Sequence, residues 1–584
     1  MTRGYSLFYL LPYLARHRLD MSSGFLMVVL TVVASMFGPW VLKYVVDDLE
    51  TSVVAEKLPI YAAMIVGIAV VEGFFRFWMR KILIGVSRRI EYELRNDFFA
   101  HLQRMSLSFF HSHPTGDIMS RATNDLNAVR SVLGPGIMYS MTTFVTVVIA
   151  TIILLRINSK LTLLAYLPLA LVSLTVKHFG QQIHDRFERI QDQFSMISNM
   201  AQENLSGIRV IKAFAREESE IREFDRLNRD YVARSVSLIR LWATFYPLMG
   251  CLIGLSSVAL LWLGGREVIA GHLSLGEFVA FLGYLSMLTW PTIAVGWVIN
   301  IFQRGAASMS RMLEILDTPP EIQDAPAAAV PEQIRGSIAF QGLSFGYTGN
   351  GPEVLRDVRL EIPAGKTLAI VGHTGSGKST LINLLTRLFD PQPGTVLVDG
   401  RDVRLWPLSS LRRLLSYVPQ ETFLFSDTIR ENISFGRDGE ASDQEVESAA
   451  QVSQIRGDIQ QFPQKYQTFV GERGITLSGG QKQRVAISRA VLLEPEILIL
   501  DDALSSVDTY TEEQILKELA SVRKDRTTIL ISHRISTVQN ADEIIVLQDG
   551  AIVERGTHST LMALQGVYAS LYQKQLLEEE LASA

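Results

Sequence analysis

One cysteine, Cys251, stands in a chain of 584 residues, so no internal disulfide can brace the fold. No basic stripe with interleaved aromatics stands out either, which removes the electrostatic footprint of a nucleic-acid binder. The net charge of -5 excludes nothing further, because it averages two halves of different character. What the first half most lacks is charge itself over long stretches. Met21 to Leu42, Ser131 to Leu155, Leu241 to Gly265 and Phe278 to Gln303 hold no Asp, Glu, Lys or Arg. At about 1.5 Å per residue, roughly 20 apolar residues cross a hydrocarbon layer of about 30 Å. Two shorter runs, Leu58 to Val71 and Leu161 to Val176, reach that length only with their flanks. The first flank holds Glu72 and Arg76, four apart on one helical face and able to pair or to face water. One run of about 15 residues is compatible with a buried soluble helix, but six in succession predict six spanning helices.

Orientation follows from the loops. Between Arg76 and Arg130 lie Arg80, Lys81, Arg88, Arg89, Arg95, Arg104 and Arg121, whereas Asp47, Asp48, Glu50 and Glu56 make the preceding connection acidic. Positive connections stay inside, so both termini are expected in the cytoplasm of a multi-pass protein of the cell membrane. The first apolar run is too long for a cleavable signal and reads as an anchor. Val86 to Phe110 and Phe187 to Phe214 mix charges with apolar residues at helical spacing, so the spanning helices are expected to continue far into the cytoplasm. They turn at His113-Pro114-Thr115-Gly116-Asp117 and at Arg216-Glu217-Glu218-Ser219. Pro291 is expected to kink its helix. Phe245, Tyr246, Tyr284, Trp290 and Trp297 have two readings, lining a cavity or packing between helices, and the sequence leaves both open.

A proline- and alanine-rich stretch, Asp317 to Pro331, separates this half from alternating short apolar strands and helices. The expected division is a membrane domain over 1–318, a linker over 319–334, an α/β domain over 335–575 and a tail over 576–584. In the α/β part, Gly372-His373-Thr374-Gly375-Ser376-Gly377-Lys378-Ser379 follows a strand, Thr367 to Val371, and opens a helix, Ser379 to Leu388. That is the context a phosphate-cradling loop requires. Its backbone N–H groups, continuing to Thr380, are expected to wrap the phosphates of ATP, with Lys378 reaching the terminal ones and Ser379 offering its hydroxyl to Mg²⁺. Asp501 ends the apolar strand Ile497-Leu498-Ile499-Leu500, so its carboxylate emerges beside that loop, where it would hold Mg²⁺ through water. Alone, such an aspartate is often only a helix cap.

Downstream of the loop stands Leu477-Ser478-Gly479-Gly480-Gln481. With both elements present, residues 335 to about 575 resemble the nucleotide-binding domain of ABC transporters, and the whole chain resembles an exporter half-transporter. The resemblance implies an α-helical membrane domain of six transmembrane helices, with long cytoplasmic extensions, fused to an α/β P-loop ATPase domain. It also implies a dimer, in which Ser478, Gly479, Gly480 and Gln481 of one chain meet ATP held by the loop of the other. By the same likeness Tyr347 stacks on adenine, and Gln420 senses Mg²⁺ and contacts the membrane domain. Glu472 belongs to an exporter-type transmission loop, Ser505-Ser506-Val507-Asp508 forms a dimer contact, and His533 touches the γ-phosphate. Segments near Thr115-Gly116-Asp117 and Arg216-Glu217 resemble the two coupling helices. The implied activity is ATP-driven export of hydrophobic or amphipathic compounds by alternating access. Lipid flipping on the same fold and an ATP-gated regulator are the alternatives.

One position departs from the family pattern. After Asp501 the family's hydrolytic site carries a glutamate that polarises the attacking water, and this chain has Asp502. Aspartate is one methylene shorter, and about 1 Å of misplacement can cost around a hundredfold in rate. The site on this chain's loop is therefore expected to be slow. A slow site suits one subunit of a heterodimer, whose intact Ser478-Gly479-Gly480 completes the partner's site. A homodimer of reduced turnover is the competing reading.

Overall fold

The computed structural model describes residues 6–51, 57–347, 351–437, 439, 441–522 and 526–583; Glu56 of the acidic connection lies outside them. The chain divides into two compact units, Met1–Gln103 with His113–Pro319, and Arg104–Ser112 with Pro320–Ala584. The division at Pro319 falls inside the proline-rich stretch. The surprise is the short segment Arg104–Ser112, which belongs to the second unit.

Long helices make the first unit: α1 (Arg18–Thr51), α2 (Leu58–Leu102), α4 (Thr115–Ile157), α5 (Ser159–Ser206), α6 (Glu217–Ile269) and α7 (Leu275–Leu316). The six-residue α3 (Leu107–Ser112) lies between α2 and α4 in sequence and packs in the second unit. Among the described residues, five helices are long and apolar enough to cross a membrane, namely α1, α2, α4, α6 and α7. The sixth expected span, 161–176, lies within α5, which is not one of those five. Helices of 45, 48 and 53 residues are about 67 to 80 Å long at the usual rise, more than twice a hydrocarbon layer. The extension expected from Val86 is thus continuous with the span of α2 as far as Leu102, and the one expected from Phe187 runs within α5 as far as Ser206. Ala215 at φ 49 breaks the chain just before α6, one residue ahead of the expected polar turn, whose Glu217, Glu218 and Ser219 instead open that helix.

Val28, Val32 and Met36 of α1 meet Met79 and Leu83 of α2 and Phe278, Phe281 and Leu288 of α7 in one buried cluster. Tyr284 belongs to it as well: it is 2 % exposed and donates its hydroxyl to the Met36 carbonyl at 2.9 Å. Packing between helices is therefore the reading that holds for Tyr284. Tyr246 and Trp290 are exposed, while Trp297 lies edge-on to Tyr139 and Phe245 tilts against Phe179. The start of α7 is fixed by Ser274, whose side chain caps Glu277 in a reciprocal box. Asp47 of α1 accepts from the Gly276 N–H at 2.8 Å and from the Ser274 hydroxyl at 3.1 Å. Only glycine fits there, since a Cβ on Gly276 would lie 2.2 Å from the Lys43 carbonyl oxygen. Small residues at helix contacts allow this approach, which lipid-embedded packing relies on.

In the second unit, β1 (Ile338–Phe345), β2 (Leu355–Ile362), β4 (Val396–Val398) and β5 (Arg401–Asp402) form an antiparallel sheet in the order β2-β1-β4-β5. β3 (Thr367–Val371), β6 (Leu415–Val418), β7 (Ile497–Asp501), β8 (Thr527–Ile531), β9 (Glu543–Gln548) and β10 (Ala551–Gly556) form the second, in the order β10-β9-β3-β8-β7-β6. All neighbours in it are parallel except β10 and β9. Every residue of β7 and β8 is buried, as expected of parallel strands covered on both faces. The helix α8 (Lys378–Leu385) follows β3, α9 (Gly479–Leu492) precedes β7, α10 (Thr509–Val522) precedes β8 and α11 (Val567–Ser583) closes the chain. The tail expected from 576 is thus the end of a helix. Within this unit Ser106 donates to Glu321 at 2.9 Å, and the His111 ring lies 6.2 Å from that of Phe389. The expected turn at Thr115 instead opens α4.

Gly276→Ala forces α1 and α7 apart or off their hydrogen bonds. It is expected to destabilise the first unit by about 1–3 kcal/mol, the usual range for overpacking. A lowered midpoint in a thermal unfolding scan of the purified protein in lipid nanodiscs checks this.

Candidate nucleotide site

Strand register creates the site. Ile370 of β3 pairs with Ile531 of β8, and Asp501 of β7 pairs with that same Ile531. The carboxyl ends of three buried strands therefore stop level, and the loops that follow them converge where open α/β sheets bind ligands. Gly372–Gly377 follows β3, Asp501-Asp502 ends β7, and His533 follows β8.

The first loop can wrap an anion only because its glycines have no side chains. A Cβ on Gly372 would sit 2.2 Å from the Leu547 carbonyl oxygen, and Gly377, at φ 103, adopts a left-handed conformation while pressed against Leu355. The loop leads directly into α8, so its N–H groups point where a helix N-terminus favours negative charge. Lys378, 7 % exposed, donates from Nζ to the carbonyls of Gly372 and His373, each at 2.9 Å. Burial pushes its ammonium below the ordinary lysine value, against the pull of Asp502 and Asp501. The Ser376 hydroxyl is buried and has no protein partner. An unmatched donor inside a cradle of N–H groups fits a phosphate oxygen.

Asp501 is 2 % exposed, and burial raises its carboxyl above the usual range, partly offset by a hydrogen bond from Ser379. Tyr417 of β6 donates to Asp501 Oδ2 at 3.3 Å, and its own hydroxyl is pushed up by burial beside that carboxylate. A hydroxyl and a carboxylate in contact at the mouth of a phosphate cradle form an all-oxygen set of the kind Mg²⁺ prefers. A cavity of about 210 Å³ is lined by Thr374, Gly375, Gly377, Lys378, Ser379, Thr380, Gln420, Asp501, Asp502 and His533, together with Val354. Nearly all the residues expected around the terminal phosphates and the metal thus share one space. Tyr347 stands half-exposed nearby, its hydroxyl 2.9 Å from Thr380 Oγ1 and its ring 5.0 Å from Phe389.

Asp502 has a left-handed backbone, φ 46, which aspartate enters more readily than most residues. It is 6 % exposed, and both its carboxylate oxygens face His533: Oδ1 accepts the backbone N–H at 3.1 Å, and Oδ2 lies 3.2 Å from Nε2. The short side chain is therefore committed to His533 beside it.

Ser478, Gly479, Gly480 and Gln481 do not line this cavity. Ser478 is the N-cap of α9, closed in a reciprocal box with Gln481, whose amide also donates to Asp458 Oδ1 at 2.9 Å. Ser478 and Gly479 are exposed. The signature thus presents a capped helix N-terminus outward. Glu472 is exposed in a short turn after Gly471, whose φ is 68. Sequence reasoning missed Tyr417, which only the pairing of β6 with β7 brings to Asp501. It also missed Gln483 and Arg534, whose partners are remote in sequence.

Two family models match the chain, "ABC transporter transmembrane region" over residues 21–292 and "ABC transporter" over residues 355–505. A probable multidrug resistance ABC transporter ATP-binding/permease protein of Bacillus subtilis (strain 168), YheI, is 38% identical over 554 residues, 93% of each chain. An ATP-dependent lipid A-core flippase of Desulfotalea psychrophila is 36% identical over 553 residues, 94% of this chain and 96% of its own. The solved structure of a bacterial Atm1-family ABC exporter with ATP bound superposes with a TM-score of 0.78 at 31% identity, covering 96% of this chain and 98% of that one.

Lys378→Ala removes the ammonium buried in the cradle. Photolabelling of this chain by an azido-ATP analogue is expected to fall about tenfold or more, the equivalent of one charged hydrogen bond. Labelling at the wild-type level contradicts the assignment of the loop.

Proposed function

Because the chain belongs to the ABC transporters, with transmembrane and ATP-hydrolysing parts fused in one multi-pass membrane polypeptide, we propose that it is the slow-site subunit of a heterodimeric exporter of hydrophobic or amphipathic compounds. One observation carries the dimer. The cavity on this chain's phosphate loop does not include its own Ser478-Gly479-Gly480, of which Ser478 and Gly479 are exposed at a capped helix end. A nucleotide on Lys378 then needs a second chain's signature to be enclosed, and this chain's signature encloses the nucleotide of that second chain.

The residues have distinct tasks in this reading. The N–H groups of Gly372 to Thr380 and the Lys378 ammonium bind the phosphates of ATP, and Tyr347 offers its exposed ring to adenine. Ser379 and Asp501, with Gln420, would hold Mg²⁺, which supplies charge neutralisation on the phosphates when bound. His533 contacts the terminal phosphate. Asp502 is the base that orients water, and its engagement by His533 through both oxygens supports a slow step. Closing of two such sites pulls the ATP-binding domains together, and the membrane helices switch from inward to outward access, with both termini in the cytoplasm. Substrate class is supported by relatives named for multidrug resistance, while relatives named as lipid A-core flippases make lipid the second reading.

Steady-state ATP turnover of variants in native membranes tests the arrangement. Ser478→Arg is expected to abolish turnover, because it spoils the fast site, whereas Asp502→Ala changes it less than about twofold. Asp502→Glu, which restores reach to the base, raises turnover at this chain's site about tenfold or more. Equal damage from Ser478→Arg and Asp502→Ala, with a single chain type purified, would establish the homodimer instead.

A further inference from the structure

Asp502 and His533 sit at the start and the far side of one loop, Asp502 to Asp508, and two side chains hold that loop from opposite directions. The first is Gln483, in the second turn of α9. It is 4 % exposed, and its Nε2 donates to Ser505 Oγ at 2.9 Å and, at 3.5 Å, to the Asp502 carbonyl. Its Oε1 accepts the Ser506 N–H at 2.9 Å. A Cβ on Gly480, three residues earlier in the same helix, would lie 2.8 Å from the Ser506 carbonyl oxygen, so the helix start and the loop are in direct backbone contact. The second is Arg534, next to His533. Its guanidinium donates to the carbonyls of Val507 at 3.1 Å and Ser505 at 3.2 Å, and it pairs with Glu512. Glu512 is 2 % exposed and also accepts from the Thr537 hydroxyl, which anchors the arginine in α10. Five hydrogen bonds from two side chains thus fix a loop whose own backbone is also held by the Asp502 N–H on the Ile531 carbonyl, at 2.9 Å, and by turns at Asp502–Ser505 and Leu504–Val507.

We propose that Gln483 and Arg534 are positioning residues for ATP hydrolysis: they clamp the Asp502–Asp508 loop between the helix that begins at Ser478 and His533, so that Asp502 and His533 keep their mutual geometry. The clamp also makes displacement of the helix that begins at Ser478 a displacement of Asp502. Neither side chain lines the cavity that holds Lys378, Ser379, Asp501 and Asp502, and Gln483 is remote from the phosphate loop, whereas Arg534 borders an adjoining cavity with Gly372, His373 and Thr374. Their loss therefore affects the chemical step and leaves ATP binding to Lys378 and its loop. This rests on the reading of the protein as an ATP-hydrolysing dimer.

The test uses the full-length protein, with whatever chain co-purifies, in lipid nanodiscs. Gln483→Leu keeps the buried volume and removes all three hydrogen bonds, leaving the Ser506 N–H without its acceptor. The kcat of this chain's own site, read as single-turnover hydrolysis of ATP bound to this chain, is expected to fall about tenfold, as for a small misplacement of reacting groups, while the KM of that site for ATP stays within about twofold, the unfolding temperature is unchanged and total turnover of the complex moves as little as it does in Asp502→Ala. Vanadate-dependent trapping of nucleotide on this chain falls in parallel with kcat. Gln483→Glu restores most of the loss, since one oxygen still accepts from Ser506 and the Ser505 hydroxyl can donate to the other. Ser505→Ala, at an exposed position where folding is not at stake, loses about threefold in kcat, the equivalent of a single hydrogen bond. An unchanged kcat in both Gln483→Leu and Ser505→Ala overturns the proposal. So does a rise in KM that matches the fall in kcat, or a Gln483→Glu variant as damaged as Gln483→Leu. A wild-type preparation without any ATP turnover would defeat the functional reading itself, a result distinct from all of these.

Discussion

The level ends of β3, β7 and β8 are the constraint on which the nucleotide site depends. Because Ile531 pairs toward both Ile370 and Asp501, three loops, the first more than a hundred residues ahead of the other two, are delivered to one edge. A slip of one residue in β7 would turn Asp501 to the other face of the sheet and bring Asp502 into its place. Packing opposes such a slip, since it would exchange every Ile and Leu of β7 between two close-packed, fully buried faces. Hydrophobic packing in the core thereby sets the position of the Asp501 carboxylate at the rim.

Within that frame the chemistry rests on short polar contacts that stay inside one unit. Lys378 is held by its own loop, Ser379 and Tyr417 meet Asp501, and His533 occupies both oxygens of Asp502. The last contact gives the missing methylene a physical meaning. An aspartate at this backbone position ends where His533 can take both oxygens, and a carboxylate so engaged is poorly placed to orient water. The signature is built by different means, a capped helix end that faces away from this cavity. Such a division, binding elements in one place and closing elements in another, is what makes a single chain insufficient.

Much of this was legible from sequence, for reasons that differ by residue. The phosphate loop is local: its glycines, Lys378 and Ser379 act through neighbours in the chain, so eight letters and a preceding strand specify them. Asp501 was readable because a buried strand announces its own end. Five spans were equally clear, since lipid demands uninterrupted apolar length, whereas the run at 161–176 is short and sits inside a 48-residue helix of mixed character. The residues that escaped are those whose partners come from tertiary register. Tyr417 reaches Asp501 only across β6 and β7, and Gln483 and Arg534 meet a loop that neither adjoins in sequence except through His533. The assignment of Arg104–Ser112 to the second unit was hidden for the same reason: nothing local distinguishes Leu107–Ser112 from the helices on either side.

The central claim is that the site on this chain's phosphate loop is completed from outside the chain and turns over slowly. A cryo-electron-microscopy reconstruction of the complex from its native host, frozen during ATP turnover in lipid nanodiscs, tests it most directly. The account predicts unhydrolysed ATP at Lys378 and Asp502, enclosed by a signature loop from a second chain, with ADP at the opposite site. ADP at the Asp502 site as often as at the other, or a nucleotide there enclosed by this chain's own Ser478, would contradict it.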